Sequence, residues 1–563
     1  MATPARWWPL AVGCVLALGA LLRVEALLAP RWLDDHAHLA MLEGRWVVPR
    51  SPLDLFSFVR RDPLEHAALR DAGVLPWWSS GGLYLSFFRP VSSALLWLDH
   101  ALFGRGVLGP HLHSLGWWAL LVLAAAALLR ELLPPGAALV ALALFALDES
   151  ATMPIGWLAG RNALVALAFA VLGLGSWRRW VTARQPRDGW RAALWWVLAL
   201  LAGEYAWTAL GYALVLAWDA PSARGRERLR VWAPLALPAL AHLALWVLRG
   251  SGTLAVGGYL DPVHAPAGFL REAPSRLWGL GLELLVPGRG LWLGPKGVAG
   301  VVVCTALWVL HRQRTLEGSS RRVLWGALLG ALLALLPVLG GLYSQRLLLG
   351  AELGFACALG LVVAEGWARG GAAGKAVALA LVALHGGVAG AWSVGYGHLM
   401  HAWGRDQSRF TPPAAPWEER LVVALCVSDL ELTYYTAQVW SAAHGGRVEA
   451  WRVLSHPAGS ALLVRVSEDA IELRAKDAPL LDLAGISNVR RPEDAFQVGS
   501  LVDLRGMQVR VLELDHGAPS RVLFTFDRPV TDPSVLFVRS TPAGFVPVHL
   551  PAVHGALEFG RGY

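Results

Sequence analysis

Charged residues and cysteines are both scarce in this sequence. Asp, Glu, Lys and Arg together make up 16% of its 563 residues, whereas they make up about 25% of a soluble globular protein. The four cysteines show no CxxC or Cys/His spacing, which argues against a zinc site and against a disulfide framework. The shortage of charge excludes an ordinary soluble enzyme and indicates that much of the surface meets lipid.

The basic residues are not distributed as in a protein that binds nucleic acid. The formal net charge is +8, but the arginines lie in short clusters between long apolar runs, as in the cytoplasmic loops of membrane proteins. We therefore expect no nucleic-acid partner. The sequence also lacks an internal repeat with a period of about 20–50 residues, which argues against a repeat array.

Apolar runs dominate the first 400 residues and predict a mainly α-helical membrane domain over 1–400. A membrane-spanning helix needs roughly 20 apolar residues, and about 11 runs are candidates. The first run is longer than the core of a signal peptide and has no convincing cleavage site, so we expect an uncleaved span. The candidate runs are 7–29, 112–133, 137–150, 160–177, 191–203, 205–218, 231–249, 297–311, 323–341, 346–365 and 374–394.

The positions of the basic clusters predict the orientation in the membrane. If the 11 runs alternate, four basic connections fall on one side, which the positive-inside rule makes cytoplasmic. Residues 411–563 then lie on the external side, and the Arg- and Ala-rich composition suggests a bacterial inner membrane with a periplasmic tail. The clusters are Arg178, Arg179, Arg184, Arg187 and Arg191; Arg224, Arg226, Arg228 and Arg230; Arg312, Arg314, Arg321 and Arg322; and Arg369 and Lys375.

Two long external loops and a soluble tail complete the predicted organisation. The loops cover 30–110 and 250–296, and we expect the aromatic residues of the first to lie at headgroup depth. These are Trp77, Trp78, Phe87 and Phe88. In the tail, apolar residues alternate with period two in four segments, which predicts a β-sandwich or barrel over 411–563. The segments are 460–466, 501–504, 509–514 and 521–526.

An acidic pair follows the first apolar run. Asp34 and Asp35 lie where a base would meet a lipid-borne substrate, and a desolvated carboxylate there can accept a proton from a hydroxyl. The alternative is a hydrated loop start that caps a short helix. His36 and His38 do not share a helix face with each other. We therefore expect no histidine metal site, and leave open a divalent cation held by the carboxylates.

Further charged residues fall on the same predicted face of the membrane. Asp148 and Glu149 form a second acidic pair, and Arg161 follows them at a position where it could meet a phosphate. Glu204 separates two short apolar runs, so it marks either an external turn or a buried functional group. Arg346 opens the tenth run, where a helix N-terminus also favours an anion. The structural alternatives are capped loops and interfacial arginines that reach towards water.

Several stretches resemble the multispanning glycosyltransferases of the GT-C fold. More narrowly, they resemble the protein O-mannosyltransferase-like branch that carries C-terminal tetratricopeptide repeats. The chain departs from that branch at Asp148-Glu149, where relatives have a His-Pro pattern, at Leu347 in place of Tyr, and in its β-type tail. The stretches are Asp34-Asp35 with Gly44, Phe88-Arg-Pro-Val-Ser, Leu98–Gly104 (LDHALFG), His111-Leu112, Trp157–Asn162 (WLAGRN) and Gln345–Leu349 (QRLLL).

The resemblance implies a reaction at the external face of the membrane. A sugar would be transferred with inversion from a polyprenyl-phosphate donor to a hydroxyl of a glycan, lipid or protein acceptor. Asp34 or Asp35 would be the base. Arg346, Arg161 and Arg89 would stabilise the phosphate. Asp148, Glu149 and Glu204 are further predicted substrate-binding residues.

Two other classes of function were weighed against this one. A transporter would place charges in the middle of its helices and would show broken helices in symmetric halves, and neither pattern is apparent. A membrane scaffold would use the tail as a docking module for an external partner. The scaffold hypothesis gains if Asp34 and Asp35 are dispensable.

Overall fold

The computed structural model describes residues 7–560 except 219–225, 291–292, 410–416, 428, 447, 458, 483–485 and 492. Arg224 of the predicted basic clusters and the start of the predicted tail at Thr411 lie outside the described residues. The described chain is mainly helical up to Arg409 and β-rich beyond Trp417.

The helices, in chain order, are α1 (Trp8–Leu21), α2 (Val24–Leu27), α3 (Asp34–Leu42), α4 (Pro63–Asp71), α5 (Pro90–Phe103), α6 (Leu108–Leu132), α7 (Pro135–Leu147), α8 (Thr152–Gly156), α9 (Asn162–Ala183), α10 (Pro186–Ala202), α11 (Thr208–Trp218), α12 (Arg226–Leu248), α13 (Pro266–Leu285), α14 (Pro295–Arg312), α15 (Gly318–Leu335), α16 (Leu349–Arg369), α17 (Gly371–Val382), α18 (Ala389–Arg409) and α19 (Leu430–His444). Short 3₁₀ turns precede α9, α11 and α16 at Leu158–Arg161, Glu204–Trp207 and Gln345–Leu348.

Six helical segments of the described chain are long and apolar enough to cross a membrane, or seven if α7 and the bent segment after it form one span. The predicted count of about 11 is therefore not confirmed. The first predicted run, 7–29, is broken, because Arg23 is buried between α1 and α2. Its guanidinium donates to the carbonyl oxygens of Gly19 and Asp148 and lies 5.0 Å from the ring centroid of Trp118. The six segments are Leu108–Leu132, Leu158–Ala183, Leu229–Leu248, Gly318–Val338, Gln345–Arg369 and Gly371–Asp406.

The span that contains α16 is the central helix of the bundle. It is almost completely enclosed by other parts of the protein and packs against α7, α15 and α17. Glycines allow this close approach: a Cβ at Gly354 would lie 2.5 Å from the carbonyl oxygen of Ala327, and one at Gly360 would lie 2.6 Å from that of Ala137. Small residues at helix contacts are the usual means of close packing in membranes, where no hydrophobic driving force holds helices together.

The strands are β1 (Ser57–Val59), β2 (Tyr84–Ser86), β3 (Gly252–Leu254), β4 (Leu421–Ala424), β5 (Ala450–Val453), β6 (Ala461–Arg465), β7 (Ala470–Ala475), β8 (Leu501–Leu504), β9 (Met507–Asp515), β10 (Ala518–Phe526), β11 (Val535–Thr541), β12 (Gly544–Pro547) and β13 (Ala556–Phe559). In the tail, an antiparallel sheet has the order β13-β6-β7-β10-β9-β8, and a second sheet has the order β12-β11-β4-β5.

The four segments with period-two alternation in the tail correspond to β6, β8, β9 and β10. The second sheet was not predicted. In it, β4 pairs in parallel with both β5 and β11, and α19 connects β4 to β5. The tail is therefore β-rich but includes a β-α-β unit, which a prediction of strands alone missed. A parallel pair needs such a crossover because its strands run in the same direction.

The long loop 30–110 packs against the tail. Trp77 and Trp78 are 3% and 0% exposed, so the prediction that they lie at headgroup depth is wrong. The indole nitrogen of Trp77 donates to the carbonyl oxygen of Leu454 at 3.1 Å, and its ring lies 6.0 Å from that of Phe524. A common core unites this loop with both tail sheets. Within the loops, β2 pairs with β1 on one side and with β3 of the loop 250–296 on the other.

Candidate functional site

The ends of four candidate spans meet the two long loops, 30–110 and 250–296, around one cavity. Its volume is about 220 Å³, slightly below the range of about 300–1,000 Å³ of small-ligand pockets. We call it the Asp34 cavity. Its polar lining consists of Asp34, Arg89, Asn162, Glu204, Tyr205, Thr253, Tyr259, Asp261 and Arg346. Four of the eight predicted site residues therefore lie together: Asp34, Arg89, Glu204 and Arg346.

Asp34 is the first residue of α3. The preceding residue, Leu33, has φ +49°. Residues other than glycine rarely adopt this backbone conformation, and it persists only where the surrounding structure enforces it. This turn directs the half-buried carboxylate of Asp34 into the cavity, where it accepts a hydrogen bond from the Tyr435 hydroxyl of α19. Burial raises the pKa of Asp34, and the Tyr435 hydrogen bond and the nearby Arg346 and Arg89 oppose that rise.

Arg346 is a buried cation whose hydrogen-bonding capacity is not used. Its guanidinium lies 4.6 Å from the ring centroid of Trp157, and its buried Nε has no hydrogen-bond partner. Among the residues with described positions, no carboxylate forms an ion pair with it. Arg346 belongs to the 3₁₀ turn that leads into α16, so the N-terminal end of the central helix lies beside it. Unused guanidinium donors at a helix N-terminus favour an anion.

Arg89 and Glu204 form an ion pair in the cavity lining. The Nε of Arg89 donates to Oε2 of Glu204 at 2.7 Å, and its guanidinium lies 4.3 Å from the ring centroid of Phe87. Oε1 of Glu204 and Oδ1 of Asn162 are buried and without partners. Buried polar atoms in native proteins are nearly always hydrogen-bonded. Unpartnered acceptors and donors around one cavity therefore point to a polar ligand.

Asp35 does not face the Asp34 cavity. Its Oδ1 accepts a hydrogen bond from the backbone N–H of Ala159 at 2.8 Å, and its Oδ2 accepts a longer one, of 3.4 Å, from that of Trp32. Burial raises the pKa of Asp35 to about 7. The contact joins α3 to the 3₁₀ turn before α9, so the carboxylate of Asp35 positions the element that carries Asp34.

Arg161 also lies away from the cavity lining. Its guanidinium pairs with Asp99, and it donates to Oγ of Ser114 at 2.8 Å and to the carbonyl oxygen of Pro110 at 2.9 Å. Both charged partners are almost fully buried. These contacts tie the 3₁₀ turn before α9 to α5 and α6. The predicted contact of Arg161 with a phosphate remains a prediction, and the observed partners of Arg161 are parts of the protein itself.

The second acidic pair is likewise engaged within the protein. Asp148 caps the turn that follows α7, with its Oδ1 accepting from the backbone N–H of Ser150 at 2.9 Å. Oε1 of Glu149 accepts from the backbone N–H of Gly288 at 2.8 Å. Neither residue lines the Asp34 cavity. A role for this pair in substrate binding remains a prediction.

Reasoning from the sequence missed several residues that line the cavity and one, Tyr435, that contacts Asp34. Trp157 and Asn162 begin and end the WLAGRN stretch, in which only Arg161 was singled out. Tyr259 belongs to the second external loop and carries no motif. Tyr435 is 401 positions from Asp34, so nothing in the sequence connects the two residues.

The donor set of the cavity does not fit a cation. No group of three or more His, Cys, Asp or Glu side chains is placed to hold a metal ion in the described part of the chain. His38 is buried beside Phe56 and Phe58, at ring distances of 4.7 and 5.3 Å, and burial lowers its pKa to about 3. Two guanidiniums share the cavity with Asp34, which favours an anion over a divalent cation.

Comparisons with known proteins give structural similarities only. No family model matches the sequence, and no curated protein matches it. An Archaeoglobus fulgidus oligosaccharyltransferase, solved with a tethered acceptor peptide, is 14% identical with a TM-score of 0.41, over 79% of this chain and 63% of the archaeal one. The chain thus spans less than two thirds of that enzyme. ArnT from Cupriavidus metallidurans is 13% identical with a TM-score of 0.36, over 77% of this chain and 84% of ArnT. A second ArnT structure, bound to undecaprenyl phosphate, is 12% identical with a TM-score of 0.30, over 80% and 90% of the two chains.

Proposed function

We propose that the chain is a membrane glycosyltransferase of the GT-C type. It would transfer a sugar from a polyprenyl-phosphate donor to an acceptor hydroxyl, with inversion at the anomeric carbon. One observation carries the proposal: a single cavity at the ends of the spans brings the carboxylate of Asp34 together with two guanidiniums, those of Arg346 and Arg89. A base and an anion-binding pair are the two groups that this transfer needs.

In the proposed reaction, Asp34 removes the proton from the acceptor hydroxyl. The acceptor oxygen forms a bond to the anomeric carbon while the bond from that carbon to the phosphate oxygen breaks. The lipid phosphate leaves with the electron pair of that bond. Arg346 and Arg89 stabilise the negative charge that grows on the leaving phosphate. The unpartnered oxygens of Glu204 and Asn162 would accept hydrogen bonds from hydroxyls of the sugar.

The proposed arrangement in the membrane follows the predicted topology. About 11 spans within 1–400 would place the Asp34 cavity, loops 30–110 and 250–296 and the tail 411–563 on the external side of a bacterial inner membrane. The prenyl chain would lie among the helices whose ends surround the cavity. The acceptor, whether glycan, lipid or protein, would approach from the external solution.

The proposal is tested with purified full-length protein in lipid nanodiscs and a panel of radiolabelled polyprenyl-phosphate sugars. Release or transfer of the sugar is measured for the wild type, Asp34→Asn and Asp35→Asn. We expect the wild type to consume at least one donor. Asp34→Asn should lose about 10²–10⁴-fold in rate, the contribution typical of a general base, whereas Asp35→Asn should retain most of its activity.

Asp35→Asn is a matched control, because it makes the same change at a neighbouring position outside the cavity lining, and the side-chain oxygen of asparagine can still accept the hydrogen bond from Ala159. Thermal melting of both variants checks that each is folded. If the wild type consumes no donor, or if folded Asp34→Asn matches the wild type, the transferase proposal fails and the membrane-scaffold hypothesis takes its place. If Asp35→Asn alone is inactive while folded, the base has been assigned to the wrong carboxylate.

A further inference from the structure

The tail contributes a side chain that contacts Asp34. Helix α19 packs against α3, and the hydroxyl of Tyr435 donates a hydrogen bond to Oδ1 of Asp34. Tyr435 is half-buried between the two elements. The carboxylate that faces the cavity is thus held by a residue of the tail rather than by one of the membrane helices.

We propose that Tyr435 is the positioning residue for Asp34, so that the tail completes the reactive site rather than only docking beside it. The inference rests on the proposed function. A carboxylate has two oxygens, and the tyrosine engages Oδ1, which leaves Oδ2 to take the proton of the acceptor. The hydrogen bond fixes the side-chain rotation of Asp34 and stabilises its ionised form.

The charged and titratable groups around Asp34 determine how its pKa should respond when the hydrogen bond from Tyr435 is removed. Arg346 and Arg89 face the carboxylate from the ends of the membrane helices and the first loop, Asp35 is adjacent on α3, and Tyr259 approaches from the second loop. Only Tyr435 donates a hydrogen bond to Asp34 among the contacts of the described residues. Its removal should therefore raise the pKa of Asp34, because the other groups remain in place.

The test compares Tyr435→Phe with Tyr434→Phe. Tyr434 is adjacent on α19, but its hydroxyl accepts a hydrogen bond from Nδ2 of Asn488 at 2.9 Å, away from the Asp34 cavity. We expect Tyr435→Phe to lower kcat by about ten- to a hundredfold, as for a lost hydrogen bond to a charged group. The acid limb of its pH–rate profile should move to higher pH, with the KM for the donor unchanged. Tyr434→Phe should keep the wild-type profile.

The outcomes separate this inference from the proposed function. If the wild type consumes a donor and Tyr435→Phe keeps both its rate and its pH profile, the positioning role is refuted and the transferase proposal stands. A uniform loss of rate across all pH values, with an unshifted acid limb, would also refute it, because that result indicates a structural effect. If the wild type consumes no donor, the proposed function itself fails.

A second cavity lies at the opposite ends of the same helices. Its volume is about 610 Å³. The Asp34 cavity touches the beginning of span Leu158–Ala183 and the end of span Gly318–Val338. The second cavity touches Val181 and Thr182, at the end of the first of these spans, and Ser319, at the beginning of the other. The two cavities therefore open towards opposite membrane surfaces.

Apolar and polar residues are segregated within the second cavity. Its inner wall is formed by apolar side chains such as Leu128, Val215 and Leu353, and its mouth carries Glu131, Arg178, Arg321 and Arg322. Glu131 pairs with Arg178, so the charged residues of the described lining carry an excess of positive charge. Trp325, which is 43% exposed, lies beside the mouth, where indole rings favour the membrane interface.

From this segregation we infer that the second cavity binds an anionic phospholipid, with an acyl chain along the apolar wall and the phosphate at the arginines. The inference is independent of the proposed reaction. Charge complementarity selects an anionic over a zwitterionic headgroup, because the interaction of each arginine with an anionic surface is worth about 1 kcal/mol.

Native mass spectrometry of the full chain measures this binding. The protein is exchanged into detergent with phosphatidylglycerol, phosphatidylcholine or undecaprenyl phosphate. We expect retained phosphatidylglycerol in the wild type and at least a fivefold loss in the double variant Arg321→Ala, Arg322→Ala. The control Arg184→Ala, Arg187→Ala removes the same charge from the same end of the bundle without touching the cavity lining. Equal losses in both double variants, equal retention of phosphatidylcholine, or displacement by undecaprenyl phosphate would each overturn the inference.

Discussion

Replacing Arg161 by methionine distinguishes a structural cation from a ligand-binding one. Arg161 and Asp99 form an ion pair in which both side chains are at most 4% exposed. Arg161 also donates to Ser114 and Pro110. Removing one partner of a buried pair leaves an uncompensated charge, which costs about 3–5 kcal/mol. We expect Arg161→Met to lower the free energy of unfolding by that amount, because Asp99 keeps only His113 as a partner, at 2.6 Å.

The double variant Arg161→Met, Asp99→Leu isolates the charge effect. It removes both charges, so we expect it to cost about 1–3 kcal/mol, the penalty for the ring nitrogen of His113 that loses Asp99. Ser114 and Pro110 keep a hydrogen bond, because Oγ of Ser114 donates to the carbonyl oxygen of Pro110 at 3.1 Å. Arg105→Met is the control for losing an arginine at the surface, since Arg105 is half-exposed in its pair with Glu43. It should cost no more than about 1 kcal/mol.

Unfolding by SDS in mixed micelles, followed by tryptophan fluorescence, measures these free energies. Donor binding is measured on the same preparations. If Arg161→Met changes the free energy of unfolding by less than about 1 kcal/mol but weakens donor binding, the structural role assigned to Arg161 is refuted. The prediction from the sequence, a phosphate contact, would then be correct.

Three further predictions follow from the site and its supports. Asp35→Asn should remove a pH dependence of the free energy of unfolding. Folding raises the pKa of Asp35 from 3.8 to about 7, so the protonated carboxyl stabilises the fold fully below pH 3.8, and this stabilisation is lost as the pH rises through about 7. The difference amounts to roughly 4 kcal/mol. SDS unfolding of wild type and variant between these pH values checks it, and parallel curves would contradict it. Arg346→Lys keeps the charge but loses the planar stacking on Trp157, so kcat should fall at least tenfold with little change in melting temperature; an unchanged kcat would remove Arg346 from the mechanism. Trp77→Ala should destabilise the contact of the first loop with the tail by about 3–5 kcal/mol, seen as faster proteolysis of the tail, whereas exposed Trp190→Ala should have little effect.

The different surroundings of the adjacent residues Asp34 and Asp35 could not be predicted from the sequence. Successive residues of a helix point in directions about 100° apart, so only one of Asp34 and Asp35 could face the cavity. The sequence made both residues candidates for the base. The turn at Leu33 and the contact of Asp35 with Ala159 decide between them. In the same way the sequence made both Arg346 and Arg161 candidates for a phosphate contact, and the structure places the buried partner of Arg161, Asp99, 62 positions away.

Hydropathy and period-two alternation are properties of residues close together in the chain, and they correctly predicted the features that depend on such residues. The membrane character and six of the apolar runs agree with candidate spans, and the period-two segments are strands of the tail. The count of 11 was not confirmed, since Arg23 breaks the first run and α10 and α11 are only 17 and 11 residues long.

The sequence by itself determined that this is a helical membrane protein with a β-rich tail. Contact with lipid requires long apolar runs, and burial of one face of a sheet requires apolar residues at every second position, so both can be read directly from the chain. Only the tertiary structure decided that the first loop packs on the tail, that Asp34, Arg89, Glu204 and Arg346 share one cavity, and that Tyr435 reaches Asp34 from 401 positions away. Contacts of this kind are made by a few side chains across large distances in the chain, and such contacts impose no period on the sequence.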